Sequence, residues 1–309
     1  MWLGGAMDRT WSEQHLPELD GSTVLVTGAT SGVGLETARQ LVARRAHVVL
    51  AVRDAERGHR VAEEIGADAR GSAEVLRVDL ADLASVRAAA GAWGGRPLDV
   101  LVNNAGVAAT TRRETADGFE LALGTNFLGP FALTNLLLPQ VRRRVVVVAS
   151  GAHRHGRIDL EDPHFRRRRF SVAAAYTQSK LADMLWGLEL GERLRAAGSP
   201  GEVLLAHPGW ALTNLQRATR SDRVNAVVTA VCSLFAQSSA MGALPTLVAA
   251  TADLPPGSYV GPDGPGEMRG LPTLVGRAPR ARDHETARRL WELAERETGT
   301  SFPVLHDRT

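Results

Sequence analysis

Short, almost unbroken apolar runs recur along the chain at residues 23–27, 47–52, 74–78, 98–102, 145–148 and 202–206. Between them lie stretches of helical periodicity, the first over residues 32–44. A strand that faces water on one side alternates apolar with polar side chains, so short runs of Val, Leu and Ala mark strands buried on both faces. Strands of that kind separated by helices build a parallel sheet covered on both sides. Six or seven such units predict a Rossmann-type, doubly wound α/β fold of about seven strands, with helices on both faces. Crossovers in such a sheet are right-handed, and ligands bind at the carboxyl ends of its strands. Residues 1–20 read as an N-terminal extension and 21–309 as one domain, with no repeat, low-complexity tract or linker inside it. A further helix is expected over 283–298, centred on Trp291.

Composition narrows the class without naming it. A chain of 309 residues with 44% hydrophobic and 23% charged residues matches an ordinary soluble globular protein. One cysteine, Cys232, leaves no internal disulfide and fits a reducing, cytoplasmic compartment. The nine histidines lack ligand spacing, so no metal is expected. A net charge of +2 is close to neutral, and the pI of 9.2 reflects arginine used in place of lysine. The basic runs at 142–144 and 166–169 have no interleaved aromatics, so they read as solvated connections and nucleic acid is not an expected partner. The N-terminus lacks a charged start followed by an apolar core, and Met7 offers a second start beside Met1. The most apolar stretch, 224–236, is short of the ~20 residues a spanning helix needs.

Where the first strand becomes the first helix, Gly28, Gly32 and Gly34 stand in the spacing G-x-x-x-G-x-G, with Thr30, Ser31 and Val33 between them. Missing Cβ atoms permit a tight turn and close approach of the backbone to a pyrophosphate, which the helix N-terminus attracts. The end of the second strand normally grips the adenosine ribose; an acidic residue there suits free hydroxyls and arginine suits a 2′-phosphate. Val52 holds the usual acidic position and Arg53 follows, while Asp54 is expected to cap the next helix. The cofactor expected is therefore NADP(H) rather than NAD(H). Asp79 and Leu80 close the third strand, and two roles stay open for Asp79: a partner of the adenine amino group, or a cap for the helix starting near Asp82. Asn103, Asn104, Ala105 and Gly106 close the fourth strand, where small residues allow close packing against the cofactor ribose and the asparagines can tie neighbouring strands.

Lys180 is the only lysine among 36 basic residues, and Tyr176, one of two tyrosines, stands four positions before it. On a helix those side chains share a face. An ammonium beside a phenol stabilises the phenolate, which converts a group that ordinarily titrates near pH 10 into a proton donor and acceptor closer to neutrality. With Asn126, Ser150 and Pro208-Gly209 in the same order along the chain, these motifs resemble the short-chain dehydrogenase/reductase superfamily over about residues 20–300. Within it, Leu50-Ala-Val-Arg-Asp54, Ser150-Gly-Ala-His153, Tyr176-Thr-Gln-Ser-Lys-Leu-Ala182 and Leu254-Pro-Pro-Gly-Ser-Tyr-Val-Gly261 resemble the bacterial retinol dehydrogenase and protochlorophyllide-reductase-like subgroup.

The resemblance implies an oxidoreductase, with hydride chemistry supplied by nicotinamide. It implies Tyr176 as general acid in ketone or aldehyde reduction and general base in alcohol oxidation. Lys180 would support the tyrosine and bind the nicotinamide ribose, Ser150 would donate to the substrate oxygen, and Asn126 would hold a water linking Lys180 to solvent. Pro208 and Gly209 would line the nicotinamide pocket, and Thr213 would bond the carboxamide or a phosphate. His153 and His207 read as loop or core histidines, and Asp159, Glu161 and Asp162 as a solvated loop. Arg45 stands where relatives carry glycine, and the link from Pro139 to Val145 looks short.

Residues 210–241 correspond to the variable substrate lid. Its apolar side chains point to a small hydrophobic carbonyl or alcohol, and a helix resting on a membrane surface is the less favoured reading. Two other functions stay open: reduction of C=C rather than C=O with the same Tyr and Lys, and a non-catalytic NADPH-binding scaffold. Dimers or tetramers are common among relatives, and the sequence leaves the oligomeric state open.

Overall fold

Strand β1 (Thr23–Thr27) distributes its side chains between two cores. Leu25 packs into one hydrophobic cluster, and Val24 and Val26 into the other. Strand β2 (His47–Val52) alternates the same way, Val49 and Ala51 against Val48, Leu50 and Val52. Burial of both faces at a period of two is why Val24–Val26 and Val48–Val52, between the polar ends Thr23, Thr27 and His47, carry no polar positions. In the computed structural model, which describes residues 16–67, 69–209 and 237–304, they belong to a single domain built on an eight-stranded sheet of order β3-β2-β1-β4-β5-β6-β7-β8. The further strands are β3 (Ser72–Arg77), β4 (Leu98–Asn103), β5 (Val141–Val148), β6 (Glu202–Ala206), β7 (Tyr259–Pro262) and β8 (Pro272–Leu274). All pairings are parallel except β7 with β8.

Helices α1 (Gly32–Ala43) and α2 (Ala55–Gly66) cover one face together with α7 (Ser239–Thr251). The other face is covered by α3 (Leu83–Trp93), α5 (Gly129–Leu137), α6 (Val172–Ala196) and α8 (His284–Thr298). A short α4 (Leu121–Leu123) joins α5 through one π-helical turn, Gly124–Leu128. The strand order reverses between β1 and β4, which opens a crevice at their carboxyl ends.

Four details differ from the sequence expectation. Strand β5 starts at Val141, because three arginines concealed its first residues. Arg142 and Arg143 are exposed, but Arg144 is buried, donating to the carbonyls of Ala249 and Ala252 and pairing with Glu202 at 3.2 Å. It is therefore not part of a solvated connection. Strands β7 and β8 escaped notice because they are short and rich in Gly and Pro. Leu16 and Leu19, within the expected extension, are buried against the α1 side of the sheet. Finally, among the described residues one helical stretch, Leu121–Gln140, is long and apolar enough to cross a membrane, but 89% of that window is buried inside the protein. Arg45 does adopt the left-handed conformation glycine prefers (φ 67°), at a cost of about 1 kcal/mol, and it reaches Asp20 at 3.1 Å.

Candidate active site

The crevice between β1 and β4 is a cleft of about 500 Å³, within the range of small-molecule sites. Its floor is the turn from β1 into α1, and Thr27 fixes that turn from below. The Thr27 hydroxyl accepts from the backbone N–H groups of Asn104 (2.9 Å) and Ala105 (3.0 Å), and Asn104 Nδ2 donates to the Thr27 carbonyl (2.8 Å). The loops after β1 and β4 are thus locked together so closely that side chains cannot enter. A Cβ on Gly34 would lie 2.3 Å from Asn104 Nδ2, and one on Gly28 (φ 69°) 2.9 Å from Ala105 Cα. Gly106 differs: it lines the cleft, and the nearest atoms to a Cβ there would be Lys180 Nζ and Asn126 Oδ1, each at an ordinary 3.6 Å. Thr30, Ser31, Gly32 and Val33 line the cleft at the start of α1, whose first turn holds no acidic residue. A helix N-terminus bared in this way suits a pyrophosphate. The backbone space and the donor set fit a dinucleotide.

At the adenosine end Arg53, Asp79 and Leu80 all line the cleft. Asp54 caps α2 as expected, accepting from Arg57 N at 3.0 Å. That cap brings a second guanidinium to the site: Arg57 lines the same cleft and donates to the Thr30 carbonyl at 3.0 Å. Sequence reasoning missed it, although Arg53 and Arg57 are spaced i, i+4. Asp79 does not cap α3, because Asp82 does so itself, accepting from Ala84 N and Ser85 N. The Asp79 carboxylate closes a turn onto Ala81 N and stays at the cleft wall. Asn103 is not brought to the cleft; it is buried and donates to Thr134 on α5 at 3.0 Å.

At the opposite end Tyr176 and Lys180 enter the cleft from α6. Lys180 is buried, and its ammonium donates to the Val148 carbonyl at 3.1 Å and to Asp183 Oδ2 at 2.8 Å. Burial alone would pull the Lys180 titration down, but the charges of Asp183 and Tyr176 overcome it and hold the ammonium above its ordinary value. Burial pushes the Asp183 carboxyl up to about 6 against the pull of Lys180. Asp183 was not foreseen; its i, i+3 spacing from the only lysine was the available signal. Asn126 sits in the π-helical turn, a distortion that often marks functional sites. Its amide clamps Val107, accepting from the backbone N–H at 2.7 Å and donating to the carbonyl at 3.0 Å, and donates to Ser179 Oγ at 2.8 Å. Both amide protons are therefore committed to Val107 and Ser179, so the side chain ties the loop after β4 to α6. Ser150 lies two residues beyond β5 and caps the 3-10 turn Gly151–His155, next to the lining residue Ala149 rather than in the cleft wall itself. Its hydroxyl oxygen accepts from Ala152 N at 3.2 Å, which leaves its proton available for a ligand.

Two histidines fix the rim. His153 is buried and accepts from Ala278 N through Nε2, so its Nδ1 carries the proton and donates to the Ser150 carbonyl at 2.7 Å. Burial pushes its titration down to about 4. His207 accepts from Gly209 N through Nδ1 and donates from Nε2 to Glu267 at 3.1 Å. With Gln237, which donates to the Pro208 carbonyl at 2.6 Å, it holds the Pro208-Gly209 turn. Pro208 lines the cleft and Gly209 stands behind it at φ 63°. Asp162 is not a solvated loop residue. It is buried and accepts from the backbone N–H groups of Arg166, Arg167 and Arg168, which hold its carboxyl down at about 2. Thr213 and residues 210–236 of the expected lid lie outside the described residues.

The comparisons with known proteins agree with this geometry. A profile of the short chain dehydrogenase family matches residues 22–224. Retinol dehydrogenase 13 of Homo sapiens is 36% identical over 302 residues, covering 94% of this chain and 88% of that protein. Polyprenol dehydrogenase of Mus musculus is 46% identical over 213 residues, covering 65% of this chain and 63%, under two thirds, of that protein. A crystal structure of an uncharacterised protein from Mycobacterium paratuberculosis is 46% identical, covers 95% of this chain and 99% of that one, and superposes with a TM-score of 0.81. A protein assigned as an NAD(P)-dependent gluconate 5-dehydrogenase from Beutenbergia cavernae, solved with NADP at low occupancy, is 28% identical with a TM-score of 0.58, covering 76% of this chain and 91% of that one. By its fold, the construction of its cleft and the profile match, the chain belongs to the short-chain dehydrogenase family.

Proposed function

We propose that this protein is an NADP(H)-dependent oxidoreductase that moves a hydride between nicotinamide and a small hydrophobic carbonyl or alcohol, an alcohol dehydrogenase or ketoreductase of the EC 1.1.1 type. The observation that carries this is the arrival of Tyr176 and the sole lysine, Lys180, from one helix at the end of a dinucleotide-shaped cleft. Bound NADPH supplies the hydride. Tyr176 gives the proton to the substrate oxygen in reduction and takes it back in oxidation, and the Lys180 ammonium stabilises the phenolate left behind. Ser150 donates its hydroxyl proton to the same oxygen as charge develops there. Asn126 keeps the loop after β4 against α6, and Pro208 and Gly209 wall the nicotinamide end.

Arg53 and Arg57 flank the adenosine end and suit a 2′-phosphate, which favours NADP(H) over NAD(H). Arg53→Ala should raise the KM for NADPH roughly tenfold or more, the worth of one charge-assisted contact, and leave that for NADH nearly unchanged. Equal changes in both would remove the preference. The apolar segment 210–241, within the single domain 21–309, serves as the lid over an apolar substrate, with Thr213 contributing to the cofactor. Relatives named for retinol and polyprenol, both apolar alcohols, support that substrate class. A panel of hydrophobic aldehydes, ketones and enones assayed with NADPH tests it, because alcohol products support carbonyl reduction and saturated carbonyl products would replace it. The enzyme works in the cytoplasm without binding membranes; recovery with anionic vesicles on pelleting would contradict this.

A further inference from the structure

The Lys180 ammonium is not alone at the end of the cleft. One helical turn beyond it, on the side away from Tyr176, stands Asp183, whose Oδ2 accepts from Lys180 Nζ at 2.8 Å. Both residues are almost wholly inside the protein, 4% and 1% exposed. The other carboxylate oxygen, Oδ1, is buried without a hydrogen-bond partner. A buried carboxylate with one oxygen unsatisfied is costly, and a hydrophobic core has no need of it. Its effect falls on the lysine it touches. An ammonium acts on a neighbouring phenol through its charge, and a carboxylate behind that ammonium subtracts from the field.

The surroundings contain few other sources of charge. On α6 the groups facing Asp183 are Lys180 and, two turns away, Tyr176. Across from it on β7 lies Tyr259, a buried phenol whose titration burial drives far up, with the charges of Glu267 and Asp183 adding to the effect. Around Tyr259 stand His153, His207, Glu267, Arg154 and Arg277. Lys180 is the one charged group that acts appreciably on the Asp183 carboxyl.

We propose that Asp183 is a positioning residue that anchors the Lys180 ammonium and cancels part of its charge at Tyr176, so that the field felt by the phenol is set by the Lys180–Asp183 pair. This rests on Tyr176 and Lys180 being the proton-transfer pair of the proposed reaction. It makes two states of one site: with Asp183 neutral the ammonium acts on Tyr176 at full strength, and with Asp183 ionised part of that charge is cancelled.

The composition supplies unusually clean reporters, since the chain has one lysine and two tyrosines. With Tyr259 titrating far above the working range, the tyrosinate absorption of the full chain follows Tyr176, and Tyr176→Phe gives the baseline. In Asp183→Asn the midpoint of tyrosinate formation should fall by about one pH unit, the size expected of a unit charge ~10 Å away at an effective dielectric near 20. A residue that only packs the helix would change the melting temperature and leave the midpoint in place. Should the Asn variant fail to fold, wild-type protein labelled on its lysine side chain answers the same question, because a single NMR resonance reports Lys180. That resonance should inflect near pH 6 as Asp183 titrates. An unchanged or raised tyrosinate midpoint in Asp183→Asn, or a lysine resonance that stays flat from pH 5 to 7, overturns the proposal. Neither measurement needs turnover, so both stand apart from the fate of the proposed reaction, which fails if Tyr176-dependent turnover is never found.

Discussion

Replacing Lys180 by methionine keeps most of the side-chain volume and removes the ammonium, which strands Asp183 in the interior. The cost follows from its titration. In the wild type the carboxyl is neutral in the fold below about pH 6 and ionised above it, with Lys180 as partner. An aspartate in the unfolded chain titrates near 3.8. A carboxyl raised in the folded state contributes stability that is fully present below the unfolded value and is lost as pH rises through the folded one. In the wild type that loss stops near pH 6. In Lys180→Met no counter-ion lets the carboxylate form, so the loss continues at about 1.4 kcal/mol for each further pH unit. The gap between wild type and variant should therefore be constant below pH 6 and widen by about 3 kcal/mol by pH 8, in line with breaking a buried ion pair. Urea unfolding at pH 5.5, 7 and 8 measures it. Adding Asp183→Asn to Lys180→Met should abolish the slope without restoring turnover, because only the stability defect arises from the stranded charge. A gap equal at pH 5.5 and pH 8, or a slope that survives the asparagine, refutes the reasoning.

Two other outcomes test the supporting structure. His153 is held neutral by burial, its titration depressed from 6.5 to about 4, so the stability it secures is complete above pH 6.5 and lost as pH falls toward 4. The loss amounts to about 3 kcal/mol, and His153→Gln should flatten the acid limb of the unfolding curve; an unchanged limb contradicts the assignment. Gly106→Ala should leave the melting temperature within about 2 °C but weaken NADPH binding at least tenfold, since the new methyl meets no protein atom closer than 3.6 Å. Gly34→Ala, which would place a methyl 2.3 Å from Asn104 Nδ2, should destabilise the apo-protein itself. Equal melting temperatures for the two alanine variants would show that the glycines do not divide in this way.

Much of this architecture is legible in the chain because a parallel sheet leaves an unambiguous trace. Six apolar runs located six strands, and the glycine spacing located the cleft between β1 and β4. The residues that escaped did so for identifiable physical reasons. The start of β5 is written in arginine, and only the fold reveals that Arg144 is satisfied by two carbonyls and Glu202. Asp162 resembles its acidic neighbours until three successive amide groups are seen converging on it. Asn103 and Asn104 are adjacent, yet strand alternation sends one into the helical layer and the other onto Thr27. Asp183 was hidden because a carboxylate three residues after a lysine is commonplace on a solvated helix face, and burial is what makes this pair unusual.

The central claim is that Tyr176 handles the proton in hydride transfer at this cleft. Its most direct test is Tyr176→Phe, comparing NADPH binding by fluorescence with NADPH oxidation in the presence of the hydrophobic aldehyde of the panel that the wild type reduces fastest. The account predicts NADPH affinity within about twofold of wild type and turnover reduced by about 10²–10⁴-fold, the contribution of a positioned general acid. A phenylalanine variant that binds NADPH and reduces the aldehyde at the wild-type rate would contradict it.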